Sequence, residues 1–182
     1  MFEALLPHVL REEGGFVNDP ADSGGATNKG VTQSTYDSFR QRKGFDVRSV
    51  VNLSNAEAKE IYTEFWENCK AHELPAGVNL MHFDFAVNAG IRRAAITLQK
   101  CVAVTEDGII GPATLKAARE KDAEKLIADY ANERRAFYNR LAERRPKDKR
   151  FLRGWLNRTA RMEKRSIDAY RQFIADSGPD TV

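Results

Sequence analysis

One run decides how this chain folds: Glu13-Gly14-Gly15-Phe16-Val17-Asn18-Asp19-Pro20-Ala21-Asp22-Ser23-Gly24-Gly25-Ala26-Thr27-Asn28-Lys29-Gly30-Val31-Thr32. Upstream of it, Phe2, Leu5, Leu6, Val9 and Leu10 recur at the i, i+3, i+4, i+7, i+8 spacing of a helix with one buried stripe. Pro7 starts or bends that helix, and Gly14-Gly15 ends it. From Phe16 to Thr35 the helical period vanishes and Asn, Asp, Pro, Ser, Gly and Thr crowd together, with Asp22-Ser23-Gly24-Gly25 a strong turn signal. A helix running into a structured loop or short hairpin is expected over residues 1–35.

Helical periodicity dominates beyond it. Ser54 with Glu57 three residues on is a capping box, opening a helix whose apolar stripe is Ala58, Ile61, Tyr62, Phe65, Trp66 and Cys69. The stretch Leu80 to Ala89 is apolar almost all round, which predicts a central buried helix. Further helices are expected over Ala94–Ala103, from Pro112 after the Asp107-Gly108 and Gly111-Pro112 turn, over about 122–143, and over about 158–174. The fold class read from this pattern is mainly α, a single domain over 1–182, with a small β-hairpin or loop element at about residues 15–35.

Composition narrows the function. The chain has 182 residues, 42% hydrophobic and 30% charged, which excludes disordered and fibrous classes. Its longest uncharged run, Leu74 to Phe83, is about half of what a membrane helix needs. The N-terminus has no basic start followed by an apolar run, so no secretory signal is read. Any target outside the producing cell would then be reached by release from a host cytoplasm or by another export route. Cys69 and Cys101 read as buried free thiols. His8, His72 and His82 are scattered, and no phosphate-cradling loop is present, so no metal and no cofactor are expected.

The formal charge of +3 hides an asymmetry. Between Arg134 and Arg165 thirteen Lys and Arg face three acids, a net of +10 that leaves −7 to the rest of the chain. The basic segment fits an anionic wall or outer-membrane surface as partner, or a solvated pair of helices whose basic stems cover apolar surface. Its aromatics, Phe137, Tyr138, Phe151 and Trp155, fall at helical core spacing, so no nucleic-acid partner is expected. A monomer is expected.

Chemistry concentrates at the opening run. On a helical wheel Glu13 falls near the middle of the apolar stripe, whereas Glu12 lies on its flank. Desolvation there and the negative end of the helix dipole both favour the protonated acid. A carboxylic acid kept neutral near neutral pH is what general-acid cleavage of a glycosidic bond requires. The glycine-rich loop that follows offers Asp19 and Asp22 as second carboxylates, with Thr27 and Gln33 as polar partners. A helix-end carboxylate turned to solvent, followed by a plain surface hairpin, is the structural alternative.

The run Glu13 to Thr32 resembles the signature of glycoside hydrolase family 108, lysozyme-like N-acetylmuramidases of phage endolysins and of bacterial proteins often labelled secretion activators. The resemblance continues through Ala58-Lys59-Glu60-Ile61-Tyr62, Trp66, Leu74-Pro75-Ala76-Gly77, Phe83-Asp84-Phe85-Ala86-Val87-Asn88-Ala89-Gly90 and Gly154-Trp155-Leu156-Asn157-Arg158. It implies Glu13 as catalytic acid, Asp22 as the carboxylate partner and Thr27 as the threonine that places water. Eight residues separate Glu13 from Asp22, as in related phage lysozymes, but only four separate Asp22 from Thr27 where five is usual. Asp19 stays open as the second carboxylate; Asp19, Gln33 and Asn88 are candidate substrate-binding residues. Leu98 to Leu115 resembles a peptidoglycan-binding repeat, which implies a catalytic half over 1–92 and a peptidoglycan-binding-like half over 93–182. The implied activity is hydrolysis of the β-1,4 bond between N-acetylmuramic acid and N-acetylglucosamine in peptidoglycan. A lytic transglycosylase, or a non-catalytic wall-binding or regulatory protein of the same fold, are the rival readings.

Overall fold

The computed structural model describes residues 26–178. The expected first helix, Glu13, Asp19, Asp22 and the Asp22–Gly25 turn lie outside the described residues. The rest forms two compact units, one running to Trp66 and the other beginning at Glu67.

In the first unit a hairpin sits inside the stretch where a small β element was expected. Strands β1 (Thr27–Asn28) and β2 (Val31–Thr32) pair antiparallel, Thr27 opposite Thr32 and Asn28 opposite Val31. Lys29 and Gly30 link them with φ of 51° and 75°. Both central residues lie in the left-handed region, as a two-residue hairpin turn requires. Thr32 then caps helix α1 (Gln33–Arg42), its Oγ1 accepting from the Thr35 amide at 3.2 Å. After a 3-10 turn at Val50–Asn52 comes helix α2 (Asn55–Asn68). The capping box closes as the sequence predicts: the Glu57 amide donates to Ser54 Oγ at 3.1 Å, and the Ser54 amide donates to Glu57 Oε2 at 3.0 Å. Tyr62 and Trp66 are core.

The second unit is helical: α3 (Val78–Ala89), α4 (Ile91–Cys101), α5 (Pro112–Glu120), α6 (Ala123–Arg144) and α7 (Leu152–Ser177). Helix α3 is buried on nearly every side from Val78 to Ala86. That fits the all-round apolar run and makes it the axis on which α4, α6 and α7 pack. The last helix starts six residues before its expected position. Pro146 fixes φ and stops α6, a 3-10 turn spans Pro146–Phe151, and Gly154 falls in the first turn of α7, where a poor helix former costs little. Cys69 and Cys101 are buried thiols, not joined in a disulfide, and burial pushes them up to about 11 and about 12. No described helix is long and apolar enough to cross a membrane.

His82, fully buried on α3, gives this unit a built-in pH dependence. Its Nε2 lies 3.0 Å from the Cys69 carbonyl, which can only accept, so Nε2 carries a proton. Its Nδ1 lies 3.2 Å from the Tyr130 hydroxyl, whose single proton is shared between this contact and the Ala94 carbonyl at 2.9 Å. Burial holds the imidazole neutral, with its pKa down at about 4. An unfolded histidine titrates near 6.5, so stability is complete above that value and falls as pH drops toward 4. Acidification from pH 7 to pH 5 is expected to remove on the order of 2 kcal/mol through this residue. Urea denaturation at the two pH values checks it. The difference between wild type and His82→Gln should shrink at pH 5; an unchanged difference would refute the neutral, buried assignment.

Candidate functional site

Of the N-terminal candidates, Thr27 lies on β1 and Gln33 opens α1, directly after the hairpin. The hairpin is pinned from three sides within its own unit. The buried Asn28 amide donates to the Val50 and Val51 carbonyls at 3.0 and 3.1 Å. Lys29 Nζ donates to the Leu53 carbonyl at 2.9 Å, and the Tyr62 hydroxyl donates to the Lys29 carbonyl at 2.8 Å. Thr27 is therefore carried on a strand whose backbone has little freedom. Gln33 is engaged by the protein itself: its Nε2 donates to Asp37 Oδ1 at 2.7 Å and to the Arg48 carbonyl at 2.9 Å, and its Oε1 accepts from the Val50 amide at 2.7 Å. It clamps residues 48–50 onto α1, the same segment that holds Asn28.

Glu57 is the hub beneath this segment. Burial alone would raise its carboxyl, but hydrogen bonds from the Ser54 amide and hydroxyl and from Tyr36, with the charge of Arg48, bring it down to about 2. The Tyr36 hydroxyl donates at 2.9 Å, Arg40 lies at 2.9 Å and Arg48 at 2.7 Å. A carboxylate so held is a fixed anion, suited to fastening a loop and unsuited to proton transfer near neutral pH.

The second unit contains a different arrangement. Asp84 on α3, fully buried, is gripped by Arg134 from α6 at 2.6 Å and by Arg158 from α7, whose Nε and NH2 reach Oδ1 at 3.0 and 2.7 Å. Burial raises the Asp84 carboxyl, and the two guanidinium charges more than reverse it, so it stays ionised. Arg134, 0% exposed, also lies over the rings of Phe85 at 5.0 Å and Tyr138 at 5.7 Å, which partly compensates the second positive charge. These two arginines belong to the basic segment 134–165. They are internal structure, so the face that segment offers to a partner is smaller than its +10 implies. Arg135 is likewise paired with Glu163, and Lys164 with Asp168.

A cleft of about 480 Å3 is lined by Asn88, Arg93, Phe137, Tyr138, Arg144 and Trp155 among others. Asn88, a candidate substrate residue, is one of its lining side chains. Burial raises the Tyr138 phenol, which therefore stays protonated and donates to Asn88 Oδ1. That bond occupies the Asn88 carbonyl oxygen and leaves its amide nitrogen as a donor. Trp155 stacks on Tyr138 at 5.1 Å and 21°, and the Arg93 guanidinium lies 5.1 Å from the Phe137 ring. Asp84, Arg134, Tyr138 and Trp155 were not singled out as site residues in the sequence, although each breaks or extends a helical stripe there. Among the described residues no group of three or more His, Cys, Asp or Glu side chains could hold a metal ion.

The 98–115 region is built as a turn. Gln99 Nε2 donates to Asp107 Oδ1 and to the Ile109 carbonyl at 3.0 Å, and its Oε1 accepts from the Gly108 amide at 2.8 Å. Gly108, at φ 81°, would place a Cβ 2.7 Å from Arg92 Cγ, so glycine is required there.

The chain is similar to known proteins in both sequence and fold. The family model of glycosyl hydrolase 108 matches residues 6–90, a span that includes Glu13, Asp19, Asp22, Thr27, Gln33 and Asn88. The model of a predicted peptidoglycan domain matches residues 93–160. The structure of SagA from Brucella abortus is similar at 36% sequence identity and a TM-score of 0.84, over 93% of this chain and 95% of that one. No curated protein matches the chain. With the mainly α, lysozyme-like fold and these two matches, the chain belongs to the glycosyl hydrolase 108 family and carries a peptidoglycan domain after its glycosyl hydrolase region.

Proposed function

We propose that the protein is a muramidase, hydrolysing the β-1,4 bond between N-acetylmuramic acid and N-acetylglucosamine in peptidoglycan. The observation that carries this reading is the pairing of two matches in one chain: a glycosyl hydrolase region containing the Glu13–Thr32 run, and a peptidoglycan domain directly after it. Residues 1–92 form the catalytic half and 93–182 the wall-binding half.

Glu13 donates its proton to the glycosidic oxygen as the C–O bond breaks, and charge builds on the sugar as an oxocarbenium-like ion. Asp22, with Asp19 as the competing carboxylate, takes a proton from the attacking water, and Thr27 places that water. The pinning of the Thr27 strand by Asn28, Lys29 and Tyr62 supports this role, because a water-positioning hydroxyl must be held to well under an ångström. Attack by water from the opposite face inverts the anomeric carbon.

Digestion of purified peptidoglycan followed by mass spectrometry of the soluble products tests the proposal. Reducing muramic ends are expected. Anhydro-muramoyl ends would overturn it in favour of a transglycosylase, and wall binding without any solubilisation would overturn it in favour of a non-catalytic wall protein.

A further inference from the structure

We propose that the cleft at Asn88, Phe137 and Trp155 is a binding site for peptide-bearing peptidoglycan, with Arg93, Arg144 and Arg145 reading the carboxylates of the stem peptide. The proposal deepens the reading above, since it rests on peptidoglycan being the substrate class.

Charge comes first. Three guanidiniums line the cleft and, among the described residues, no acidic side chain does. Arg93, Arg144 and Arg145 form no ion pair among the described residues, whereas Arg40, Arg48, Arg134, Arg135, Arg158 and Arg171 all do. Unpaired like charges around one concavity repel each other and raise a local positive potential, which an anionic ligand relieves. The planar fork of arginine matches a carboxylate bidentately.

The walls then narrow the ligand. Phe137 and Trp155 give apolar ring surface of the kind on which a sugar face or an aliphatic side chain packs. Asn88, its carbonyl oxygen held by Tyr138, presents amide donors to an acceptor such as an N-acetyl carbonyl. The volume, about 480 Å3, lies within the range of small-ligand sites. A bare anion such as phosphate uses neither the rings nor the amide. A neutral chitin chain uses the rings and leaves the arginines unpaired. A muropeptide, N-acetylated sugar plus carboxylate-rich peptide, uses all three.

The cleft also stands on rigid ground. Tyr138 lies against Arg134, which is locked to Asp84, so the floor is set by contacts between α3, α6 and α7 and needs no ligand to form.

The test is equilibrium binding by the full chain of the N-acetylglucosaminyl-N-acetylmuramoyl tetrapeptide, which lacks the scissile bond of the proposed reaction. Its peptide-free disaccharide is the comparison ligand. Arg144→Ala/Arg145→Ala is expected to weaken muropeptide binding roughly 10-fold or more, with circular dichroism unchanged because both side chains are exposed. Removing the peptide from the ligand should cost wild type a similar factor and the double variant almost nothing. Equal muropeptide affinity in the two proteins would overturn the proposal. So would equally tight, arginine-dependent binding of vesicles rich in phosphatidylglycerol, which would assign the cleft to a lipid surface. Because binding is read without cleavage, the two ideas fail separately. Arginine-dependent muropeptide binding with an undigested wall refutes only the muramidase reading; wall digestion with arginine-independent binding refutes only this site.

Discussion

Asp84→Asn is expected to destabilise the second unit by about 3–5 kcal/mol, because it leaves buried cations without their anion. The substitution preserves shape and one acceptor oxygen but removes the negative charge between two buried guanidiniums. Arg134 is 0% exposed and cannot reach water without the helices separating, and Arg158, at 9%, is only slightly better placed. Arg134 is the more vulnerable to the loss: its Nε and NH2 have no hydrogen-bond partner in the native state, and its contacts are Asp84, the Met81 sulfur and the faces of Phe85 and Tyr138. Ring faces stabilise a cation only modestly and do not replace a carboxylate. Chemical denaturation at neutral pH measures the effect. A triple replacement, Asp84→Leu with Arg134→Met and Arg158→Leu, should recover much of the loss, because it removes the buried charges together. A loss below about 1 kcal/mol for Asp84→Asn alone would mean that water or another anion reaches the triad.

The triad also shows how far the sequence could be read. Helix α3 was legible because ten of its twelve residues, Val78 to Ala89, carry apolar or small side chains or the neutral Asn79 and His82, and nothing in that run favours a polar face. The one acid inside it, Asp84, was the signal for buried cations elsewhere. Those cations were visible too: Leu126, Ile127, Tyr130, Ala131 and Tyr138 form the buried stripe of α6, and Arg134 sits at the missing position of that stripe. A basic residue on a buried face at this register demands an acid, but the pairing joins residues far apart in the chain and only the packing of α3 on α6 makes it specific. The segment charge of +10 misled for the same reason, since a count along the sequence cannot separate Arg134 and Arg158, which are internal, from Arg144 and Arg145, which are exposed. Local signals fared better. The Ser54–Glu57 box and the turn before Pro112 depend on residues within a few positions of each other and appeared where expected. The hairpin fell inside its expected stretch, but its described turn, Lys29-Gly30, carries a lysine at positive φ. That lysine is held there by its tertiary bonds to Leu53 and Tyr62, which no local propensity encodes.

Glu13→Gln is expected to slow peptidoglycan solubilisation at least ~100-fold, and up to ~10,000-fold if proton donation is fully rate-limiting. Glutamine keeps the size and the hydrogen-bonding capacity of the side chain but has no proton to give, so the loss isolates acid catalysis from binding. The pH profile adds a second, independent readout. If Glu13 is the acid, wild-type activity falls as pH rises and the proton it must donate is lost. The residual activity of the variant should lose that alkaline limb. Glu57 cannot be its source, because its carboxyl is held at about 2 and is already ionised throughout the working range. Parallel measurements on Asp22→Asn and Asp19→Asn assign the base, since only the carboxylate that activates water should cost a comparable factor; the other should change KM with little effect on kcat. Activity of Glu13→Gln equal to wild type would remove the general acid from the mechanism. It would also leave the arginine-lined cleft, whose muropeptide binding needs no proton transfer, as a wall-recognising device.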